Sequence, residues 1–530
     1  MSGKDRNLQG CDVLISEDIL STSPHCEHGP TLLFEKYYGK GNVKRFFACS
    51  AYRDRKYCKF YQPFDEKSFI HLKGQKCSKM NKTEDNQEKE TSSDAYSRME
   101  TLRLVKERDR YYCHSCNLLT TKTEIEEHRN HVITTGISDT LLKQPSKLLS
   151  ARNNNKSQAQ YLFSKGTTEF LVKTIKSLHF DKVLCVGVPR LHETLLKDKA
   201  QLKIDSLLLD IDERFAQFFS SSEFCRYNMF NDYFFCGSSR VTLQSFLRNQ
   251  RVLLVMDPPF GGLVEALAFT ISQITNSSSL DTNSAGSLPV MWIFPYFMEK
   301  RILSALPNFH MLDYKVSYDN HVLFKNGSKS SKNSPVRIFT DISPAKISLP
   351  ADEGYWYCSK CKLFSAPENL HCDKCNKCPS KDGSTYRHCT SCDRCVKPAY
   401  THCALCKRCE LPSHNCNRVL AGCHLCGDSS HKRRECPQHK TFQFRTTDKP
   451  NILHSREEKN LSGEEGQPNE TDENLERKRH SKNRFILGSR KLEKRSYSKH
   501  LRRGLYQDYI REYVSRRRLR GLRSTISITT

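Results

Sequence analysis

Between about residues 150 and 345, short apolar runs alternate with stretches of mixed polarity. Lys182–Gly187, Ser206–Asp210, Arg251–Met256 and Val290–Phe294 are nearly unbroken apolar segments, most of them β-branched or leucine-rich. Runs this short fit strands buried on both faces, and the intervening stretches have helical length. The pattern predicts a doubly wound α/β domain with a mainly parallel sheet. Tyr314–Tyr318 and Val322–Phe324 are expected to close it as a hairpin. Ligands of such sheets bind at the carboxyl ends of the strands. Gly187, Asp210 and Asp257 all fall at such ends.

Outside this interval the chain is punctuated by cysteines, 25 in 530 residues. Residues 1–24 are polar and expected to be disordered, residues 66–105 read as a linker, and 445–476 as an acidic, disordered linker. The start of the chain lacks an apolar signal core, and no apolar run approaches the ~18 residues of a membrane helix. A soluble intracellular protein is therefore expected, with its cysteines on metal or buried as thiols. Cys185, Cys225 and Cys236 sit in apolar surroundings and are expected to be structural. Net charge is +26, and residues 477–523 hold 18 Lys and Arg against three Asp and Glu. Such a surplus favours a polyanionic partner. Within the basic tail, 477–530, Arg477–Lys482 has the composition of a nuclear localisation signal. Leu501–Arg520 could form a helix lying on phosphates or packing on a partner protein through Tyr506, Ile510, Tyr513 and Val514.

Asp257-Pro258-Pro259-Phe260 directly follows one of the buried strands. A carboxylate and a backbone carbonyl side by side can hold both hydrogens of a conjugated amine. Proline supplies a carbonyl on a rigid turn without a competing N–H, and an aromatic ring can stack on a base. Such a site works by positioning and electrostatics, without a strong base. The motif resembles the Asn/Asp-Pro-Pro-aromatic signature of class I (Rossmann-like) amino-methyltransferases, and Gly187, Asp210 and the motif follow in that family's order. The resemblance implies S-adenosylmethionine as cofactor and Asp257, Pro258, Pro259 and Phe260 as catalytic residues. It further implies that Asp210 holds the cofactor's ribose and that Asn228 and Met229 lie at its adenine. Gln160, Tyr161, Leu162 and Phe163 would pack over it, and Gly187, Arg190 and Asp257 would line the turn beside it. That turn, Val186–Arg190, keeps a single glycine.

The cysteine clusters have metal-ligand spacing. Cys423, Cys426, His431 and Cys436 have the spacing of a zinc knuckle (421–440), four soft ligands suited to a closed structural Zn2+ site. Cys26, His28, Cys49 and Cys58 resemble the ligands of a GRF zinc finger (25–65), a family that binds single-stranded nucleic acid. Tyr37, Tyr38, Lys44, Arg45, Phe46 and Phe47 interleave bases and aromatics between them. Tyr61 lies near the place of that family's terminal tryptophan. Cys113, Cys116, His128 and His131 resemble a C2H2 finger (106–135), with a His–His gap one residue short. In 355–417, Cys358 and Cys361 precede three His-Cys-x2-Cys-x2-Cys blocks: His371, Cys372, Cys375 and Cys378; His388, Cys389, Cys392 and Cys395; His402, Cys403, Cys406 and Cys409. His414 and Cys416 follow. These 12 cysteines and four histidines suffice for up to four tetrahedral sites. The region resembles the cysteine-rich domain of DHHC palmitoyltransferases. Tyr400-Thr401-His402-Cys403 lacks the Asp-His pair of those enzymes, so palmitoyl transfer is excluded and a zinc-stapled module is expected.

The combination and order of these modules resemble the zinc-finger CCHC-domain enzymes that form N6-methyladenosine in large-subunit ribosomal RNA. That resemblance implies a structured RNA with a looped-out adenosine and residence in the nucleus and nucleolus, the cytoplasm being left open. Protein partners of the zinc module or the basic tail are left open as well. Two rivals stand beside it: a protein lysine methyltransferase with the same motif, and a non-catalytic RNA-binding scaffold.

Overall fold

A computed structural model describes residues 10–37, 43–52, 54–65, 96–152, 160–248, 250–279, 288–321, 334–416 and 436. The zinc-knuckle residues Cys423, Cys426 and His431, the acidic linker and the basic tail lie outside the described residues, as do Tyr38 and Val322–Phe324.

Eight strands form the central sheet: β1 (Lys182–Val186), β2 (Asp205–Asp210), β3 (Phe224–Asn228), β4 (Tyr233–Phe234), β5 (Val252–Met256), β6 (Val290–Pro295), β7 (His310–Leu312) and β8 (Val336–Thr340). Their order is β4-β3-β2-β1-β5-β6-β8-β7. β3, β2, β1, β5 and β6 are mutually parallel, while β8 runs antiparallel to both β6 and β7. Every residue of β5 and β6 is buried, which explains why these runs are apolar without alternation. Trp292, Phe294 and Phe339 are fully buried, and each such side chain contributes roughly 1.5–3 kcal/mol.

Helix α1 (Lys165–Ser177) starts at Ser164, whose hydroxyl accepts from the Thr167 N–H. Helix α2 (Pro189–Lys197) begins on Pro189, whose missing N–H costs nothing in a first turn. It packs on α1, β1 and β2. Helix α4 (Val264–Ser279) packs with α3 (Gly237–Leu247) and α5 (Glu299–Ala305). The crossing of the sheet reverses between β1 and β5, so the strand ends there open a crevice.

Three expectations are corrected. The stretch Tyr314–Tyr318 is not a hairpin strand; the terminal antiparallel pair is β7 with β8, and Tyr318 makes an isolated bridge to Phe163. Tyr314, Val316 and Tyr318 are buried on an irregular segment, so alternation reported burial there and not pairing. Residues 10–24 are ordered where disorder was expected: Gly10–Leu14 pairs with Leu32–Tyr37, and Glu17–Thr22 is helical, because Val13, Ile15 and Leu20 are buried. Residues 96–103, within the stretch assigned to a linker, form a helix that fully buries Met99 and Leu102.

Each of the three zinc modules among the described residues is tied to the sheet domain by buried polar side chains. Asn228 and Asn231 reach the first finger. Gln217 brackets the second, accepting from Leu119 N–H at 3.0 Å and donating to Asn117 O at 2.8 Å. Asp313 accepts from Ala366 N–H and from the Asn369 amide, and Arg337 donates to Lys381 O, which seats the cysteine-rich region on β7 and β8.

Candidate active site and zinc modules

Register brings the three strand-end residues level. Val186 lies opposite both Leu209 and Met256. The Gly187 N–H donates to Leu209 O, and the Asp257 N–H to Val186 O. Gly187 has φ +68°, and a Cβ there would meet Met229 Cε at 2.8 Å and Asp257 O at 3.2 Å. Only glycine lets the backbone pass so tightly, so one glycine does the work of the family's fuller turn.

Asp257 is half-buried, and its Oδ1 accepts a hydrogen bond from the Tyr318 hydroxyl at 3.1 Å. Desolvation holds its carboxyl well above the usual range, opposed by that hydrogen bond. Phe260, expected to face a target base, is 6% exposed and stacked on Tyr161 at 5.3 Å. Tyr318 and His321 complete an aromatic cluster around these two rings. Tyr318 and His321 were not among the residues the sequence singled out.

The segment 160–163 is held against 317–320. Leu162 N–H donates to Asn320 Oδ1, the Asn320 amide donates to Gln160 O, and Ser164 N–H donates to Ser317 O. Arg190 donates to Phe163 O at 2.8 Å and pairs with Asp319. In this structure its guanidinium therefore positions the 160–163 segment over the site. His192, two residues on, is fully buried with Nδ1 on the Ser206 hydroxyl, and is part of the core.

Asp210 is buried at the end of β2, where desolvation and the nearby Asp212 carboxylate push it up to about 7. Its Oδ1 accepts from the Asp212 N–H. Asp212 in turn pairs with Arg152 and Arg214. A buried acid at a strand end suits the vicinal hydroxyls of a ribose, which donate hydrogen bonds that water cannot supply there. The donor set and the glycine passage fit S-adenosylmethionine. Met229 lines a cavity of about 190 Å3 beside this acid. Asn228, expected at the cofactor's adenine, lines the same cavity and also ties the first finger to the sheet. Its amide donates to His28 O and to Ser50 Oγ, both at 2.8 Å, and its Oδ1 accepts from Phe230 N–H. A second, larger cavity of about 700 Å3, between α5 and the cysteine-rich region, shares no lining residue with this one.

The cysteine and histidine ligands converge in quartets. Cys26, His28, Cys49 and Cys58 form one; Cys113, Cys116, His128 and His131 form another. The cysteine-rich region forms Cys358–Cys361–His371–Cys378, Cys372–Cys375–His388–Cys395 and Cys389–Cys392–His402–Cys409. Cys403, Cys406, His414 and Cys416 make a further set, with the His414 Nε2 3.3 Å from both Cys406 and Cys416. All 16 ligands of the region are used, and they interleave. Each His-Cys pair is split between two sites, and the third cysteine of each block returns to the site before it. Sulfur–sulfur separations of 3.6–3.8 Å recur across these sets. A tetrahedron with Zn–S bonds of about 2.3 Å has edges of about 3.8 Å, so the quartets fit Zn2+. In five of these sets the residue after the Cys-x2-Cys pair that shares one metal site, Asn117, Lys362, Asn376, Asp393 or Lys407, has positive φ. His128 ends a 3-10 turn, and His131 follows in a tight loop, so no long helix carries the pair. That geometry accommodates the short His–His gap and presents no groove-reading helix.

In the first finger, Phe47 is core, Phe46 stacks on Phe34, and Arg45 pairs with Glu35, while Lys44 is exposed. Cys185 and Cys225 are buried, as expected of structural thiols; Cys236 is half-buried at the start of α3. No helix among the described residues is long and apolar enough to cross a membrane.

The parallel sheet with its level Gly187, Asp210 and Asp257 defines a class I amino-methyltransferase that uses S-adenosylmethionine. A family model described as "Probable N6-adenine methyltransferase" matches residues 154–332. The rRNA N(6)-adenosine-methyltransferase ZCCHC4 of Xenopus tropicalis is 49% identical over 442 residues, 81% of this chain and 90% of that protein. The Xenopus laevis protein of that name is 50% identical over 445 residues, 81% and 89% of the two chains. The Homo sapiens protein is 44% identical over 444 residues, 82% and 86%. The chain belongs to the ZCCHC4 family of N6-adenosine methyltransferases.

Proposed function

We propose that this chain methylates the N6 amino group of an adenosine in large-subunit ribosomal RNA. The observation that carries the chemistry is Asp257-Pro258-Pro259-Phe260 at the end of β5, level with Gly187 and Asp210. When bound, S-adenosylmethionine supplies a methyl group on a positively charged sulfur, which leaves as a neutral thioether. The Asp257 carboxylate and the Pro258 carbonyl accept the two N–H bonds of the adenine amine. This orients the nitrogen lone pair away from the ring and toward the methyl carbon. Positive charge grows on the nitrogen as the N–C bond forms, and the carboxylate stabilises it; one N–H proton then passes through the carboxylate to solvent, leaving the neutral secondary amine. The Tyr318 hydroxyl holds the carboxylate in place. Tyr161, half-exposed and backed by the buried Phe260 ring, offers the aromatic surface for the base.

A base inside a duplex cannot present its amine to a strand-end pocket. A looped-out adenosine costs least to insert, which favours a structured RNA with an unpaired target. The zinc fingers bring cations and rings to such a strand. We place the protein in the nucleus and nucleolus, in keeping with its ribosomal RNA substrate and the basic segment Arg477–Lys482. The test is methylation of total RNA with labelled cofactor, followed by nucleoside analysis. Label in N6-methyladenosine of the large ribosomal RNA is expected. Label in protein lysine, or in another RNA nucleoside, would overturn the assignment.

A further inference from the structure

We propose that the first zinc finger supplies the outer wall of the cofactor site, with Tyr52 and Tyr57 facing the adenine ring of S-adenosylmethionine. This rests on the methyltransferase function above. The cavity of about 190 Å3 is bounded on the sheet side by Ile211, Met229 and Pro259, and on the finger side by Tyr52 and Tyr57. Ile211 follows Asp210, and Pro259 belongs to the catalytic motif, so the cavity opens on the strand ends where ligands of such sheets bind. Apart from Asn228 and Arg152 its walls are aliphatic and aromatic, which suits a flat neutral ring. Its one cation, Arg152, is engaged by Asp212, so a phosphate would find no unpaired charge there.

Tyr52 is placed by the metal ligands. Its N–H donates to Cys49 Sγ at 3.3 Å, and its ring lies 4.3 Å from that of His28. Tyr57 packs behind it at 6.2 Å. The finger is locked to the sheet by Asn228, which grips His28 O and Ser50 Oγ, and by Asn231, which donates to His28 O and Pro30 O. The contact is close: Gly29 has φ +89°, and a Cβ there would lie 2.5 Å from the Tyr233 ring. Zinc ligands, Tyr52 and the cofactor slot thus form one rigid unit. The finger completes the cofactor pocket as well as carrying its own metal site.

The test is calorimetric titration of the full-length, zinc-loaded chain with S-adenosylhomocysteine. Loss of a ring stacked on a base amounts to roughly tenfold or more in affinity, so Tyr52→Ala should weaken binding by about that factor. Tyr52→Phe, which keeps the wall, should stay within about threefold of wild type. Zinc content should not change in either variant. Tyr52→Ala binding as wild type does would overturn the proposal. Should Tyr52→Ala lose zinc, the half-exposed Tyr57→Ala decides: weakened binding supports the wall, and unchanged binding overturns it. Wild-type protein that fails to bind S-adenosylhomocysteine would instead sink the methyltransferase function itself.

Discussion

Asp257 carries an unusual burden for a carboxylate. It must accept hydrogen bonds from an amine, yet its surroundings favour the protonated form. The Tyr318 hydrogen bond works against that tendency. Methyl transfer should therefore fall on the acid side with an apparent pKa above the ordinary carboxylate range. Tyr318→Phe removes a donor that stabilises the charged form, so the limb should move to higher pH in a kcat/KM profile. A limb unmoved by Tyr318→Phe would show that another group controls it. Asp257→Ala should lower turnover by at least about 10²–10³-fold, the usual loss on removing one preorganised polar group from a transition state. RNA binding and zinc content, measured alongside, should be nearly intact. The motif, Gly187 and Asp210 were legible in sequence because each sits at the end of an apolar run. Tyr318 was not legible as a site residue, because it lies 61 residues from Asp257 and meets it only through the fold. Asn228 was legible as a strand end, but nothing local could announce that its amide serves a backbone carbonyl 200 residues away.

The elements around the sheet are held by a few buried polar contacts. The clearest is on α2. Glu193 accepts from both the N–H and the hydroxyl of Ser146, docking the short helix Pro145–Leu148. Desolvation pushes Glu193 up to about 7 from its ordinary 4.5, only partly offset by the Ser146 hydrogen bonds and by Arg190 and Lys147. The folded state therefore holds a proton that the unfolded chain releases. Stability from this group is fully present below about pH 4.5 and is lost as pH rises toward 7 and beyond. The loss is on the order of 3 kcal/mol. Glu193→Gln escapes it, so the thermal midpoint of that variant relative to wild type should rise between pH 6 and pH 8. A constant difference would place the cost elsewhere. The strands of the parallel sheet were readable from their apolar runs. The last pair was not, because Tyr314, Val316 and Tyr318 alternate like a strand while packing as an irregular segment.

Across the molecule, a catalytic sheet is embraced by zinc modules attached at three separate places. The cysteine count gave the capacity of the cysteine-rich region, four sites from 16 ligands, but not the pairing. Blocks such as His371–Cys378 look self-contained in sequence, yet their ligands serve two sites. The reason is geometric: neighbouring residues on extended backbone project to opposite faces, so His371 and Cys372 face different metals. Disturbing an inner site should therefore disturb its neighbours. Cys375→Ser should release more than one zinc equivalent under mild chelation, whereas Cys416→Ser, at the end of the series, should release about one. Equal losses from the two variants, measured by metal analysis, would show that the sites are independent.

The grip of Asn228 and Asn231 on the first finger also bears on how the protein is made. Residues 25–65 leave the ribosome before the side chains that seat them, which arrive some 200 residues later. The sheet those side chains stand on needs β8, near residue 340, before it is whole. A nascent chain can load zinc early and still own no slot for its methyl donor. The slot exists only once residues 25–65 dock on the sheet, a contact between segments some 200 residues apart.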